Sequence, residues 1–102
     1  MIDQILTDWA AKDAEGVAAV FGTEGTFKAP GTKVFVGQEA GEYLSEWVPF
    51  WEATRTGDAV DNGDGTFTFP VTFLSERGIV EDVFWRIKAA DDELVDLTEL
   101  MS

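Results

Sequence analysis

The order of patterns along the chain predicts an α+β fold in one domain, residues 1–102. Three observations carry this. Two stretches with 3.6-residue apolar spacing open the chain. A longer helical window fills its middle. From about residue 54 onward the signal is strand. A sheet curling round the helices would bury Phe67, Phe69 and Phe73 against Trp9, Tyr43 and Trp47.

The first helix is predicted over 2–11, where Ile2, Ile5, Leu6, Trp9 and Ala10 form one apolar stripe. A second follows over 13–21 with Val17, Val20 and Phe21. Asp13 is its expected N-cap and Gly22 its C-terminal stop. Residues 25–29 and 33–37 read as two short strands joined by the turn Pro30-Gly31-Thr32, a hairpin. The third helical window runs from Gln38 to about Thr54, with Ala40, Tyr43, Leu44, Trp47, Val48 and Trp51 on its apolar face. Pro49 removes a backbone donor inside it. A kink or end is therefore expected near 45–47, with Pro49 opening a last turn.

Residues 54–60 form a weak polar strand, and Asp61-Asn62-Gly63-Asp64-Gly65 a strong turn. Residues 66–74 alternate, with Phe67, Phe69, Val71 and Phe73 on one face. After the turn 75–78 comes the strand 78–88, rich in β-branched and aromatic residues. One of its faces carries Ile79, Glu81, Val83, Trp85 and Ile87. The other carries Val80, Asp82, Phe84, Arg86 and Lys88. If the second face is the core side, Asp82 is a carboxylate among apolar neighbours. Residues 89–92 read as a loop and 93–101 as the last strand.

Composition narrows the function. Hydrophobic content of 45% with 13% aromatic residues is that of a globular chain. Cysteine and histidine are both absent, which excludes a disulfide framework, Cys or His metal ligation, and Ser-His-Asp or Cys-His catalysis. Twenty acids against seven bases give a net charge of −13. Phosphate contact needs clustered Lys and Arg, so no nucleic-acid partner is expected, and anionic membranes would be repelled. The residues 1–4 show no basic region leading into a long apolar run. No signal peptide or membrane span is expected, and a cytoplasmic location is. The acidic turns at 61–64 and 91–93 lack the alternate-ligand spacing of a calcium loop, so no metal and no cofactor is assigned.

Three segments together carry a family resemblance. Trp9, Asp13, Val17 and Phe21 recur at intervals of four. Gly25-Thr26-Phe27-Lys28-Ala29-Pro30 and Val36-Gly37-Gln38-Glu39-Ala40 follow. In order and spacing this opening resembles that of nuclear transport factor 2-like proteins, which include SnoaL-like polyketide cyclases and ketosteroid isomerase. The later strands fit in order and length. The resemblance implies a cone-like barrel in which a curved antiparallel or mixed sheet wraps three helices around a pocket. It places the family's oxyanion Asp in the strand motif Glu81-Asp82-Val83-Phe84, at Asp82 or, two residues on, at Phe84. The family's base falls at Ala29 and its helical Tyr near Ile5, neither of which can serve. Ketosteroid isomerase activity is therefore not expected.

The resulting expectation is a small-molecule-binding domain with no assigned reaction and a small hydrophobic ligand. Its pocket residues would be Trp9, Phe27, Tyr43, Trp47, Trp51, Phe67, Phe69, Phe73, Phe84 and Arg86, with Asp82 as polar anchor. One alternative is an isomerase, cyclase or dehydratase using Asp82 as general acid/base, helped by Glu99 or the Tyr43 hydroxyl. Another is a dimerisation module with a filled core. With Asp82 inward, Val83, Trp85 and Ile87 face outward, and a homodimer through that face is expected.

Overall fold

The computed structural model describes residues 4–90 and 93–101, and all side chains within them except those of residues 90, 93 and 95. The chain runs α1 (Gln4–Ala10), α2 (Ala14–Ala19), β1 (Thr26–Lys28), β2 (Phe35–Val36), α3 (Gln38–Ser45), β3 (Trp51–Arg55), β4 (Val60–Asp61), β5 (Thr66–Ser75), β6 (Val80–Ala90) and β7 (Glu93–Met101). The start of the first expected helix and the acidic pair Asp91-Asp92 lie outside the described residues.

Local chemistry accounts for the breaks. The Asp13 carboxylate accepts the Gly16 N–H at 2.9 Å and caps α2. The window from Gln38 ends as a helix at Ser45, and single turns bridge residues 46–50 across Pro49. Trp51 is then the first residue of β3 rather than part of a last helical turn. The expected weak strand 54–60 is divided between the end of β3 and the two-residue β4. Residues 89 and 90, expected in a loop, extend β6 past a register shift at Lys88/Ala89.

The sheet is mixed, in the order β2-β1-β7-β6-β5-β3, with β4 also on β5. β5, β6 and β7 form an antiparallel meander, while β1 lies parallel to β7. Three helices pack on its inner face. α2 and α3 approach closely at Gly41, where a Cβ would stand 2.4 Å from the Ala18 carbonyl oxygen. The core joins Ile5, Leu6 and Trp9 of α1 to Val17, Phe21, Ala40, Leu44, Phe69, Trp85 and Leu97, all buried. Among the described residues no helix is long and apolar enough to cross a membrane.

One expectation about the faces of β6 is overturned. The inward row is Val83, Trp85 and Ile87, at 5%, 0% and 1% exposure. Asp82, Phe84, Arg86 and Lys88 are exposed on the outer face. Cross-strand register is the reason. Phe69 pairs with Trp85, Val71 with Val83 and Phe67 with Ile87, and directly opposed residues share a face. Wherever the Phe67–Phe73 row points, Trp85 must point too. The turn enforces this register. Gly78, at φ 82°, supplies the left-handed step, and Ser75 Oγ accepts the N–H groups of Arg77 and Ile79 at 3.3 and 3.0 Å. The surface built from Val83, Trp85 and Ile87 that was to carry a homodimer is this chain's own core.

Candidate functional site

The inner face forms an open-mouthed cavity of about 250 Å³. Trp9, Phe27, Ala29, Tyr43, Leu44, Trp47, Trp51, Phe73, Glu81 and Glu99 line it. Each arrives by a different local rule. Trp9 ends the apolar stripe of α1, and its indole N–H donates to the Trp51 carbonyl at 2.8 Å. That bond ties α1 to the first residue of β3. Tyr43 lies on α3 and stacks on Phe35 of β2, centroids 4.3 Å apart. Phe27 of β1 lies 5.7 Å from the Tyr43 ring on another side. Trp47, in the turn after α3, is 43% exposed and sits at the mouth. Trp51 meets Phe73 edge-on at 6.3 Å, and Phe73 also contacts Trp9 at 5.5 Å. The walls are therefore rings held by rings.

Two carboxylates supply the polar end. Glu99 on β7 is opposite Trp85 on β6, and the Trp85 indole N–H donates to its Oε1 at 3.1 Å. Burial pushes the Glu99 carboxyl above the ordinary carboxylate range. The Trp85 bond works against that rise, and the charge of Glu81 adds to it. Glu81, opposite Phe73 at the start of β6, is exposed. One acid is thus held toward its neutral form beside another that faces water.

The residues singled out from sequence separate into groups. Trp9, Phe27, Tyr43, Trp47, Trp51, Phe73 and Glu99 line one cavity. Phe69 is fully buried beneath Trp85 rather than in the cavity wall, and the Arg55 guanidinium lies 5.5 Å from its ring. Phe67 is half-buried farther along β5. Asp82, Phe84 and Arg86 stand on the outer face, where the Thr72 hydroxyl donates to Asp82 at 2.6 Å. The inner-pocket places expected for these three are therefore corrected, because the register of β5 and β6 turns them outward. Ile5 is buried, while Ala29 lines the wall as a small side chain that leaves room.

Glu81, Ala29 and Leu44 are the lining residues that pattern reading missed. For Glu81 a signal was present. Its face of β6 holds Val83, Trp85 and Ile87, whereas the other holds Asp82, Arg86 and Lys88 in the same span. Three charges against one mark the solvent side. Glu81 then belongs to the inner row near its open end.

No protein-family model and no curated protein sequence matches the chain. Solved structures do. A nuclear transport factor 2-like protein of unknown function from Cytophaga hutchinsonii superposes with a TM-score of 0.75 at 10% identity, covering 99% of this chain and 86% of its own. A hypothetical protein with a ketosteroid isomerase-like fold from Catenulispora acidiphila, solved in complex with trimethylamine, gives 0.79 at 11%, covering 99% and 84%. TerC, co-crystallised with polyporic acid, gives 0.78 at 13%, covering 99% and 88%. The chain has the nuclear transport factor 2-like fold.

Proposed function

We infer that this nuclear transport factor 2-like fold serves as a small-molecule-binding protein, with the ligand seated in the cavity capped by Glu81 and Glu99. The observation that carries the reading is convergence. Six aromatic side chains and two carboxylates, from elements scattered along the chain, meet on one cavity. An apolar concavity with a few placed polar groups is the usual form of a ligand site. Its size bounds the ligand. About 250 Å³ exceeds the ~150 Å³ that holds benzene and falls below the ~300–1,000 Å³ of drug-sized sites. A molecule of one or two rings fits that interval. Two neighbours of this fold were crystallised with trimethylamine and with polyporic acid. Ligands so different on one fold leave the choice to the residues of each wall.

The test is occupancy. Tryptophan fluorescence reports it directly, since Trp9, Trp47 and Trp51 line the wall. One- and two-ring compounds are titrated into the wild type and into Ala29→Met and Leu44→Phe, which fill the space. Saturable binding in the wild type, weakened at least tenfold in folded filled variants, is the expected result. Equal affinity in all three would place the ligand elsewhere and end the reading.

A second reading is favoured by one observation, the pair of acids in unlike environments. Glu99, whose burial favours the protonated form, would donate a proton to a bound substrate, and Glu81 would accept one, as in isomerase or dehydratase chemistry. In that case Glu99→Gln abolishes turnover of a bound ligand while leaving its affinity within a few-fold.

A further inference from the structure

We propose that the cavity takes an organic cation, an alkylated ammonium group bearing a small apolar body. This rests on the reading of the cavity as a binding site and names its ligand class.

The lining decides the sign of the charge. Its acidic side chains are Glu81 and Glu99, and among the described residues it contains no lysine or arginine. The Lys12 ammonium is committed to the carbonyl oxygens of Val48 and Trp51, at 3.0 and 3.1 Å. An anionic ligand would thus meet two carboxylates and no compensating cation. A cation meets both acids and the faces of electron-rich rings. Tyr43 and Trp47 meet edge-to-face at 6.4 Å on the wall that Trp51 also lines. Aromatic walls attract a desolvated cation through the ring quadrupole.

Alkylation follows from the hydrogen-bond inventory. A primary ammonium carries three strongly hydrated donors and needs acceptors for each. The wall is mostly ring carbon, and Glu99 already accepts from the Trp85 indole. A methylated nitrogen spreads its charge over apolar groups, gives up little hydration on entry, and packs against ring faces.

The experiment compares three probes of similar shape: benzyltrimethylammonium, its neutral carbon isostere neopentylbenzene, and the anion 3-phenylpropionate. Each is titrated into the wild type, Ala29→Met, Glu81→Gln/Glu99→Gln, and a surface control, Glu15→Gln/Glu24→Gln, whose acids are exposed away from the cavity wall. Circular dichroism confirms that every variant is folded. The wild type should bind the cation at least tenfold more tightly than the isostere and show no saturable binding of the anion. The cavity double variant should lose that preference, and the surface control should keep it. If the isostere binds as tightly as the cation, the ligand class is wrong while the binding site stands. If the surface control loses as much as the cavity variant, the preference is general attraction to an acidic protein and the proposal falls. If no probe binds the wild type, or Ala29→Met binds them all equally well, the binding-site reading itself fails.

Discussion

The indole N–H of Trp85 donates to the Glu99 carboxylate at 3.1 Å, across a directly opposed pair of β6 and β7. Trp85 is fully buried among Trp9, Phe69 and Phe73, with ring centroids 5.7–6.3 Å away. The core therefore reaches into the cavity through one polar atom. Packing fixes the ring, the ring aims its N–H, and the N–H orients the acid.

Glu99→Gln should stabilise the protein at neutral pH. Burial raises the Glu99 pKa above its unfolded value, so the folded state holds that proton more tightly. Below the unfolded pKa both states are protonated and the carboxyl imposes no penalty. As pH climbs from the unfolded to the folded pKa, the stability it contributed is lost, and the deficit then stays constant. Urea unfolding should show the variant more stable than wild type at pH 7 and equal to it near pH 3. The carboxyl is partly solvated, so the gain should stay below about 1 kcal/mol.

Trp85→Phe should cost about 2–3 kcal/mol by urea unfolding. It removes buried ring volume and leaves Glu99 without its donor. Since the Trp85 bond lowers the Glu99 pKa, its loss should raise that pKa further, read by NMR of the side-chain carboxyl. A pKa that falls would show that the bond does not hold the ionised form.

Asp82→Ala should change little. Asp82 is exposed on the outer face and bonded to Thr72. The expected loss is about 0.5–1 kcal/mol in unfolding, with ligand affinity unaltered. An affinity change of tenfold or more would mean that the outer face takes part in binding.

Gly41→Ala should destabilise by about 1–3 kcal/mol, because the new methyl would press into the Ala18 carbonyl oxygen. Gly41 is helical, and alanine alone in an open helix would gain about 1 kcal/mol. The sign of the thermal shift thus separates close helix packing from intrinsic propensity.

Much of the fold was legible because it rests on local signals. Apolar spacing marked α1 and α2, the Asp13 cap divided them, Pro49 stopped α3, and the turn before β6 was written in Ser75–Gly78. The rings of the cavity were legible too, since large aromatics at inward spacing have few other places to go. Trp51 was found for the wrong reason, as a helix residue, and still reaches the wall from β3. The polar end was not legible in the same way. Period-2 alternation states which residues of a strand share a face, and leaves open which face is inside.

The sequence by itself determined an α+β chain, its turns, its acidic surface, and the lack of any histidine or cysteine for chemistry. Only tertiary structure decided which acids line the cavity. Pairing Phe69 with Trp85 turned Glu81 inward and Asp82 outward, and pairing Trp85 with Glu99 brought in the second acid. That choice depends on register between strands distant in sequence. Its energy comes from burying Val83, Trp85 and Ile87 together with the phenylalanines of β5. The position of one carboxylate is a by-product of where its apolar neighbours must go.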